Sequence, residues 1–295
     1  MKSNVKQSLF YFVPLSLLLI CCGCQKEPPA PPKASFTETD PSTIQVDANS
    51  PGRGYEAEII RHVEGHGVHL DFAERINFHF PDGHTEERIL VDGCIALTET
   101  ELRDLVALDE SGDRQYRTFN LVSPQTINVV GYNGGTYALT SKMRTALQWA
   151  VNNYNALNIN LNFNLTFTTN LSNADITVYR NPFNNNAGGV AGFPSGGRPH
   201  PLVQIYNGME SYNTNTVEHV MTHEIGHCLG LRHTDYFNRA SCGQNANEGS
   251  GSDGAVHIPG TPTGIDWNSV MLACFSNNED GEFGFYDRVA LEFLY

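Results

Sequence analysis

The eleven residues from His223 to His233, HEIGHCLGLRH, constrain the fold most, because they place three imidazoles and one carboxylate close together. Residues four apart project from the same face of a helix, so His223 and His227 can bind one metal ion together. A third ligand farther along the same helix would stand about 12 Å from the first, too far for one tetrahedral ion. The helix must therefore end, and Gly230 sits where a left-handed residue would let the chain turn and bring His233 back.

This arrangement predicts a catalytic zinc site. Three neutral imidazoles leave one coordination position open for water, which distinguishes catalytic from structural zinc. Glu224, beside the first ligand, can hydrogen-bond that water and act as general base. The alternative is a helix that carries histidines without a metal, but the glutamate, the glycine and the third histidine together favour the metal site. His219 lies one turn before His223, and we expect it to pack or to support a ligand because the protein ligands are already supplied.

The spacing of the histidines, with Ser269-Val270-Met271 downstream, is the signature of the metzincin zinc peptidases. The pentapeptide from His223 to His227 and the His-Thr-Asp that starts at His233 further resemble the bacterial dual-action HEIGH metallopeptidases. This resemblance implies a zinc endopeptidase that acts on proteins or peptides, with Met271 in a Met-turn beneath the zinc ligands. Astacins and serralysins carry a zinc-binding tyrosine two residues after that methionine, and here the position is Ala273.

The predicted fold class is α+β. By resemblance, residues 118–295 form a metzincin-like catalytic domain with a twisted mixed sheet of about five strands, an active-site helix, a Met-turn and a C-terminal helix. Hydrophobic patterns in the sequence agree with this order. They predict strands at 126–132, 159–167, 175–179 and 202–206, and helices at 140–157, 215–229 and 285–294. The second helix is predicted to have its N-cap at Asn215, with Glu218 at the third position. Residues 239–267 are rich in glycine, serine and asparagine, so neither helix nor strand is predicted there.

The resemblance also implies a substrate-binding edge strand, formed by Val190, Ala191, Gly192 and Phe193. The free backbone groups of an edge strand can pair with a peptide of any sequence. A flexible surface loop is the alternative reading of this glycine-rich stretch.

The amino terminus is typical of an exported protein. Residues 1–23 carry Lys2 and Lys6 and then a short apolar run, as in a signal peptide. Gly23 and Cys24 resemble the cleavage point of bacterial lipoproteins, which implies a lipid anchor on Cys24; ordinary secretion is the alternative. Residues 24–40 include a proline-rich spacer. We therefore expect a bacterial cell-envelope protein on the outer surface or the periplasmic face, with release as an alternative.

Charge limits the partners that we expect. The formal net charge of -14 argues against binding to nucleic acid or anionic lipid. We expect a monomer that meets the membrane only through its lipid anchor.

Residues 41–117 are predicted to form a small α+β pro-domain. Alternation at 75–80 and 87–91 indicates short strands, and Thr98 and Glu101 are spaced as a capping box at the start of a helix. The sequence Val91-Asp92-Gly93-Cys94-Ile95 resembles the pro-segment motif of astacin zymogens, in which an aspartate blocks the zinc. Here Cys94 replaces that aspartate, and matrix metalloproteinases use a cysteine for this purpose.

Cys94 is therefore the candidate latency switch, and Asp92 is a poorer one. The alternatives for Cys94 are a buried core thiol or a disulfide with Cys228. Release would require a cut, and the polar stretch at 111–117 is a candidate site; the alternative is an exposed loop that is never cut.

Four cysteines remain after the signal and anchor, and an oxidising compartment allows three full pairings. Cys242 and Cys274 are the preferred pair, because pappalysin-like bacterial metzincins join this region similarly; free buried thiols are the alternative. A calcium ion could bind Asp253, Asp266, Glu279 and Asp280, but their spacing matches no known loop. Two rival functions use the same residues: a surface metal-binding lipoprotein without turnover, and a zinc hydrolase of a non-protein amide.

Overall fold

A computed structural model describes residues 73–91, 93–101, 116–249 and 254–295, which all belong to one compact unit. Its first element is an antiparallel sheet of three strands, β1 (Ala73–His79), β2 (Thr85–Val91) and β3 (Ile95–Leu97). The two strands predicted in this region are confirmed. Thr98 and Glu101 form the predicted capping box, because each side chain accepts a hydrogen bond from the other residue's backbone amide.

The central sheet confirms the predicted five-stranded mixed architecture. After a short strand β4 (Tyr116–Arg117), the chain forms β5 (Gln125–Tyr132), β6 (Leu161–Thr168), β7 (Ile176–Asn181), β8 (Gly189–Val190) and β9 (Leu202–Tyr206). The order in the sheet is β6-β5-β7-β9-β8, and all pairs are parallel except β8 with β9. Strand β8 therefore lies at one edge of this sheet.

Three helices complete the described fold: α1 (Ser141–Asn155), α2 (Thr214–Leu229) and α3 (Phe285–Leu294). Helix α1 buries an apolar stripe against the sheet and α2, and Tyr154 in its last turn donates a 2.8 Å hydrogen bond to the carbonyl of Thr222. This contact holds α2 in place. None of the helices in the described ranges is long and apolar enough to cross a membrane.

Two details of the predicted elements are wrong. The N-cap of α2 is Asn213, whose side chain accepts from the amide of Thr216 at 2.9 Å, so Asn215 lies inside the helix. Residues 239–267, predicted to lack regular structure, contain a 3-10 turn at Ala240–Cys242 and a strand, β10 (Val256–His257). Strand β10 pairs with β4, and strands of two residues are too short to show a periodic pattern in the sequence.

Candidate metal centre

The helix that carries the first two histidines ends where the sequence predicts. Gly230 has φ 107° and ψ 9°, in the left-handed region, and its amide donates to the carbonyl of His227. A Cβ atom at Gly230 would lie 2.7 Å from Oγ1 of Thr118 and 3.0 Å from the carbonyl oxygen of Asn120. Both the conformation and the space therefore require glycine at this position.

Strand β4 fixes the chain beyond this turn. The amide of Arg232 donates to the carbonyl of Tyr116 at 2.9 Å, and the amide of Thr118 donates to the carbonyl of Gly230 at 2.8 Å. Tyr116 is buried and packs edge-on against Tyr236, with ring centroids 4.0 Å apart. These contacts return His233 to the face of α2 that carries the other two histidines.

The three imidazoles meet at one point. Nε2 of His223 lies 3.0 Å from Nε2 of His227 and 3.3 Å from Nε2 of His233. Sγ of Cys94 lies 3.4 Å from Nε2 of His227 and 3.2 Å from Nε2 of His233. These four donor atoms lie within 4.8 Å of one another, and all four residues are buried.

The Nδ1 atoms face away from this point, and their hydrogen-bond partners show which nitrogen of each ring carries the proton. Nδ1 of His223 lies 2.9 Å from the carbonyl oxygen of Val270, and Nδ1 of His227 lies 2.8 Å from that of Leu231. A carbonyl oxygen can only accept, so both Nδ1 atoms are protonated and both Nε2 atoms present lone pairs. Nδ1 of His233 lies 2.7 Å from a carboxylate oxygen of Glu248, which orients that ring in the same way.

This arrangement fits a tetrahedral zinc ion. Zinc bonds of about 2.0 Å to nitrogen and 2.3 Å to sulfur would separate nitrogen pairs by about 3.3 Å and nitrogen–sulfur pairs by about 3.5 Å. The four distances given above, from 3.0 to 3.4 Å, are close to these values. Three lone pairs facing one thiol cannot all be satisfied by its single proton, so the donor set fits a shared cation.

Burial keeps the imidazoles neutral. It lowers the pKa of His223 and His227 well below the usual value and that of His233 to about 3. Neutral imidazole is the form that binds a metal. His219 is not part of the donor group found among the described residues.

The sequence also matches a family model. The model of the dual-action HEIGH metallo-peptidases matches residues 89–295. The chain belongs to this family. It is therefore a metalloendopeptidase, and its substrates are proteins or peptides. No curated protein matches the chain.

Two structures of myroilysin are similar to this HEIGH metallopeptidase. They are 14% and 16% identical to it and cover 58% and 63% of its chain, with TM-scores of 0.36 and 0.37. The matched regions span 80% and 93% of the myroilysin chains.

Glu224 in this metallopeptidase lies beside the donor group on α2. Its side chain is buried, and its Oε2 atom has no hydrogen-bond partner. Burial raises the pKa of this carboxyl well above its usual range. A carboxylate oxygen without a partner beside a metal site is available for a water molecule or a substrate atom.

Cys94 reaches the site from the turn between β2 and β3. Its amide donates to the carbonyl of Val91, and Gly93 in the turn has φ 80°. Asp92, the poorer candidate for the blocking residue, lies outside the described residues. Neither Cys94 nor Cys228 forms a disulfide, so the alternative of a bond between them is not formed.

The predicted edge strand is shorter than expected. It comprises Gly189–Val190, and Ala191 continues it by one isolated bridge, parallel to Ile95. The amide of Ala191 donates to the carbonyl of Cys94 at 2.8 Å, and the amide of Ala96 donates to the carbonyl of Ala191 at 3.0 Å. Gly192 and Phe193 lie outside the strand, and the Phe193 ring packs edge-on against His227.

Met271 of the HEIGH metallopeptidase lies against Gly226, the residue before His227. A Cβ atom on Gly226 would lie 2.6 Å from its sulfur, so the glycine of the pentapeptide makes room for this methionine. Asp287 on α3 holds the turn by accepting hydrogen bonds from Oγ of Ser269 at 2.6 Å and from the amide of Val270 at 2.8 Å. Burial raises the pKa of Asp287 to about 6.

A disulfide joins Cys242 to Cys274, which confirms the preferred pairing. It links the residues after the third histidine to those after the Met-turn. Asp235 supports the same junction, because its carboxylate accepts from the amides of Ser241 at 2.8 Å and Ala273 at 2.9 Å. Position 273, for which the resemblance to astacins and serralysins would imply a tyrosine, is an alanine, and the backbone amide of Ala273 instead braces this loop.

The calcium prediction finds no support in the described part of the chain. Asp266, Glu279 and Asp280 do not belong to any group of metal-binding side chains there, and Asp253 lies outside the described residues. Sequence reasoning also missed Glu248 and Arg239, which donates to the same Glu248 oxygen that contacts His233. Neither residue belongs to a motif or a periodic element, so only the three-dimensional fold reveals their role.

Proposed function

We propose that this chain is a zinc endopeptidase made as a latent precursor, in which the Cys94 thiolate occupies the fourth zinc position. The observation that carries this proposal is the meeting of the Cys94 sulfur and three imidazole nitrogens within 4.8 Å. Three histidines and one cysteine form a common zinc donor set, and a thiolate is a strong ligand for zinc. While the sulfur holds that position, water is excluded from it.

When bound, zinc supplies a Lewis acid for the scissile carbonyl and lowers the pKa of a water molecule. Glu224 is the general base in this proposal: it accepts the proton of the attacking water and delivers it to the leaving nitrogen. The unpartnered Oε2 atom supports this role, because it has capacity for one further hydrogen bond. Burial favours proton uptake by this carboxyl, whereas a nearby cation favours its ionised form.

Substrate binds along the β8 edge in this proposal. The pro-segment already uses that edge, since Cys94 and Ala96 exchange two backbone hydrogen bonds with Ala191. A peptide could form equivalent bonds once the segment leaves. Latency therefore has two parts, a blocked metal position and an occupied edge.

Contacts between the first sheet (β1–β3) and the central sheet support the role of the first sheet as a detachable cover. Phe78, Leu90 and Ala96 pack against buried aromatic residues of the central sheet. The carbonyl of His79 accepts hydrogen bonds from Oη of Tyr179 at 2.8 Å and Nε2 of Gln204 at 3.0 Å. Since Tyr116 and Arg117 lie in β4 and support the metal site, we place the activating cut in residues 111–115.

We further propose that the protein is exported and held at the cell envelope by a lipid on Cys24. The signal-like residues 1–23 and the proline-rich stretch that follows support this location. The Cys242–Cys274 disulfide is compatible with an oxidising compartment.

The test uses the full chain and a Cys94→Ser variant, both loaded with zinc and assayed on a mixed peptide library. We expect the variant to cleave peptides at least tenfold faster than the wild type, because loss of the zinc–sulfur bond opens the metal position and leaves the segment held at the edge by two backbone hydrogen bonds that a peptide can replace. In the wild type, the Cys94 thiol should resist alkylation until a chelator removes the metal. Cys228→Ala is the matched control, because it removes the other buried cysteine outside the disulfide and should leave latency intact.

Glu224→Gln in the Cys94→Ser background should retain zinc and lose hydrolysis by a factor of about 10² to 10⁴. Two results together would contradict latency. The wild type and Cys94→Ser, each holding one zinc, would cleave peptides at the same low rate, and Cys94 of the wild type would be alkylated without removal of the metal. Undiminished cleavage by the Glu224→Gln variant would contradict the general-base role.

A further inference from the structure

A cavity of about 320 Å³ opens beside Glu224. Its lining includes His219, Val220 and His223 of α2, the segment after the Met-turn from Leu272 to Phe275, and Gly93 and Cys94 of the turn between β2 and β3. Tyr212 also lines it. A substrate side chain next to the scissile bond can enter this cavity, because Glu224 and the ligand His223 form part of its surface.

His219 is the unexplained polar group in this lining. It is 5% exposed, and its Nε2 atom is buried without a hydrogen-bond partner. The centroid of its ring lies 6.0 Å from that of Phe275, which also lines the cavity. An unpaired buried polar atom is destabilising, and a ligand that supplies the missing partner recovers this cost.

The charges around the cavity select the kind of partner. The guanidinium of Arg239 is already paired with Glu248, so it offers no free counter-charge to an anionic side chain. Glu279 and Asp280 add negative charge near His219, which disfavours a second carboxylate, but neither residue lines the cavity, so neither contacts a side chain bound there. Among the described lining residues, the acidic group is Glu224, which the reaction requires, so a cationic side chain has no separate counter-ion.

A neutral amide meets these conditions. It carries both a donor and an acceptor, so it can pair with Nε2 of His219 in either tautomer. Its methylene groups can lie against the apolar wall formed by Val220, Leu272 and Phe275.

From this geometry we infer that His219 is a specificity-determining residue, and that the cavity binds a glutamine or asparagine side chain adjacent to the scissile bond. This inference rests on the proposed peptidase function and names its substrate class. A site with an unpaired buried polar group discriminates strongly against substrates that cannot satisfy it.

The test compares peptides that differ only by glutamine, methionine, glutamate or lysine at each position flanking the cut. Cleavage is measured with the zinc-loaded Cys94→Ser chain, and binding with the zinc-loaded Cys94→Ser/Glu224→Gln chain. At one position we expect glutamine to exceed methionine by about tenfold, both in kcat/KM and in affinity. His219→Phe keeps a ring but removes the hydrogen bond, so it should reduce this ratio to about one.

Two further variants separate specificity from packing. His219→Gln keeps a hydrogen-bonding group and should retain part of the preference, whereas Val220→Ala should change both rates and leave their ratio unchanged. A ratio near one in the wild-type cavity, or a ratio unaltered by His219→Phe, overturns the inference. Preferential binding of glutamine peptides without cleavage supports the inference and overturns the proposed function instead.

Discussion

Glu248 lies 2.7 Å from Nδ1 of His233, although fifteen residues separate the two in the sequence. Both side chains are buried, and Arg239 donates to the same carboxylate oxygen. Burial raises the pKa of Glu248 to about 7, and the Arg239 guanidinium opposes that shift. A carboxylate that accepts from a ligand imidazole fixes the ring and increases its basicity.

We therefore expect Glu248→Gln to weaken zinc binding by about 10- to 100-fold. The amide is neutral, so it is a weaker acceptor for His233 and leaves the buried Arg239 without its counter-charge. Competition with a chromogenic chelator at pH 7 measures the change. Glu292→Gln, at an exposed carboxylate on α3, is the control and should bind zinc as the wild type does. Equal affinities in the two variants would exclude a role for Glu248 in holding the ligand.

The parts of this site that could be predicted are those encoded locally. Residues four apart on a helix and a glycine after it determine where His223 and His227 point and where the chain turns. Glu248 comes from a segment without periodicity, and its contact depends on how that segment folds across the site. The sequence gives no local signal for such a long-range contact.

The misplaced N-cap has a similar cause. Asn213 and Asn215 are equally suitable capping residues by type. Tertiary contacts favour Asn213, because Nδ2 of Asn213 and Oγ1 of Thr216 both donate to the carbonyl of Asn277. Strands β4 and β10 are likewise defined by their pairing with each other and not by their own residues.

Gly230→Ala should strongly destabilise the protein. Alanine would be strained at φ 107°, and its Cβ would approach Oγ1 of Thr118 and the carbonyl of Asn120. We expect a loss of about 2 to 4 kcal/mol in the free energy of unfolding, with weaker zinc binding because the turn positions His233. Gly264→Ala is a matched control, since a Cβ there meets no atom within 4 Å. Similar denaturation midpoints for both variants would show that the turn tolerates a side chain.

The disulfide should contribute to stability through the loop that it closes. Cys242 and Cys274 are 32 residues apart, and a loop of this length corresponds to about 2 to 4 kcal/mol. The double variant Cys242→Ser/Cys274→Ser should unfold at lower denaturant concentration than the wild type. A reductant should lower the midpoint of the wild type and leave that of the variant unchanged. If the reductant shifts both proteins equally, the stabilisation comes from another source.

Glu218 on α2 should make stability depend on pH. Burial, followed by the nearby Glu282 carboxylate, raises the pKa of Glu218 from 4.5 to about 7, although Asn153 donates a 3.0 Å hydrogen bond to it. Between pH 4.5 and 7 the folded state binds more protons at this group than the unfolded state, so the free energy of unfolding falls as pH rises.

Glutamine cannot ionise and can keep the hydrogen bond from Asn153. Glu218→Gln should therefore be more stable than the wild type at pH 8, by about 1 to 3 kcal/mol, and this advantage should shrink towards pH 5. Urea denaturation of both proteins at the two pH values measures the difference, with the exposed Glu292→Gln variant as a control that should show none. A constant difference between Glu218→Gln and the wild type across this range would show that Glu218 is already ionised in the folded protein at pH 5.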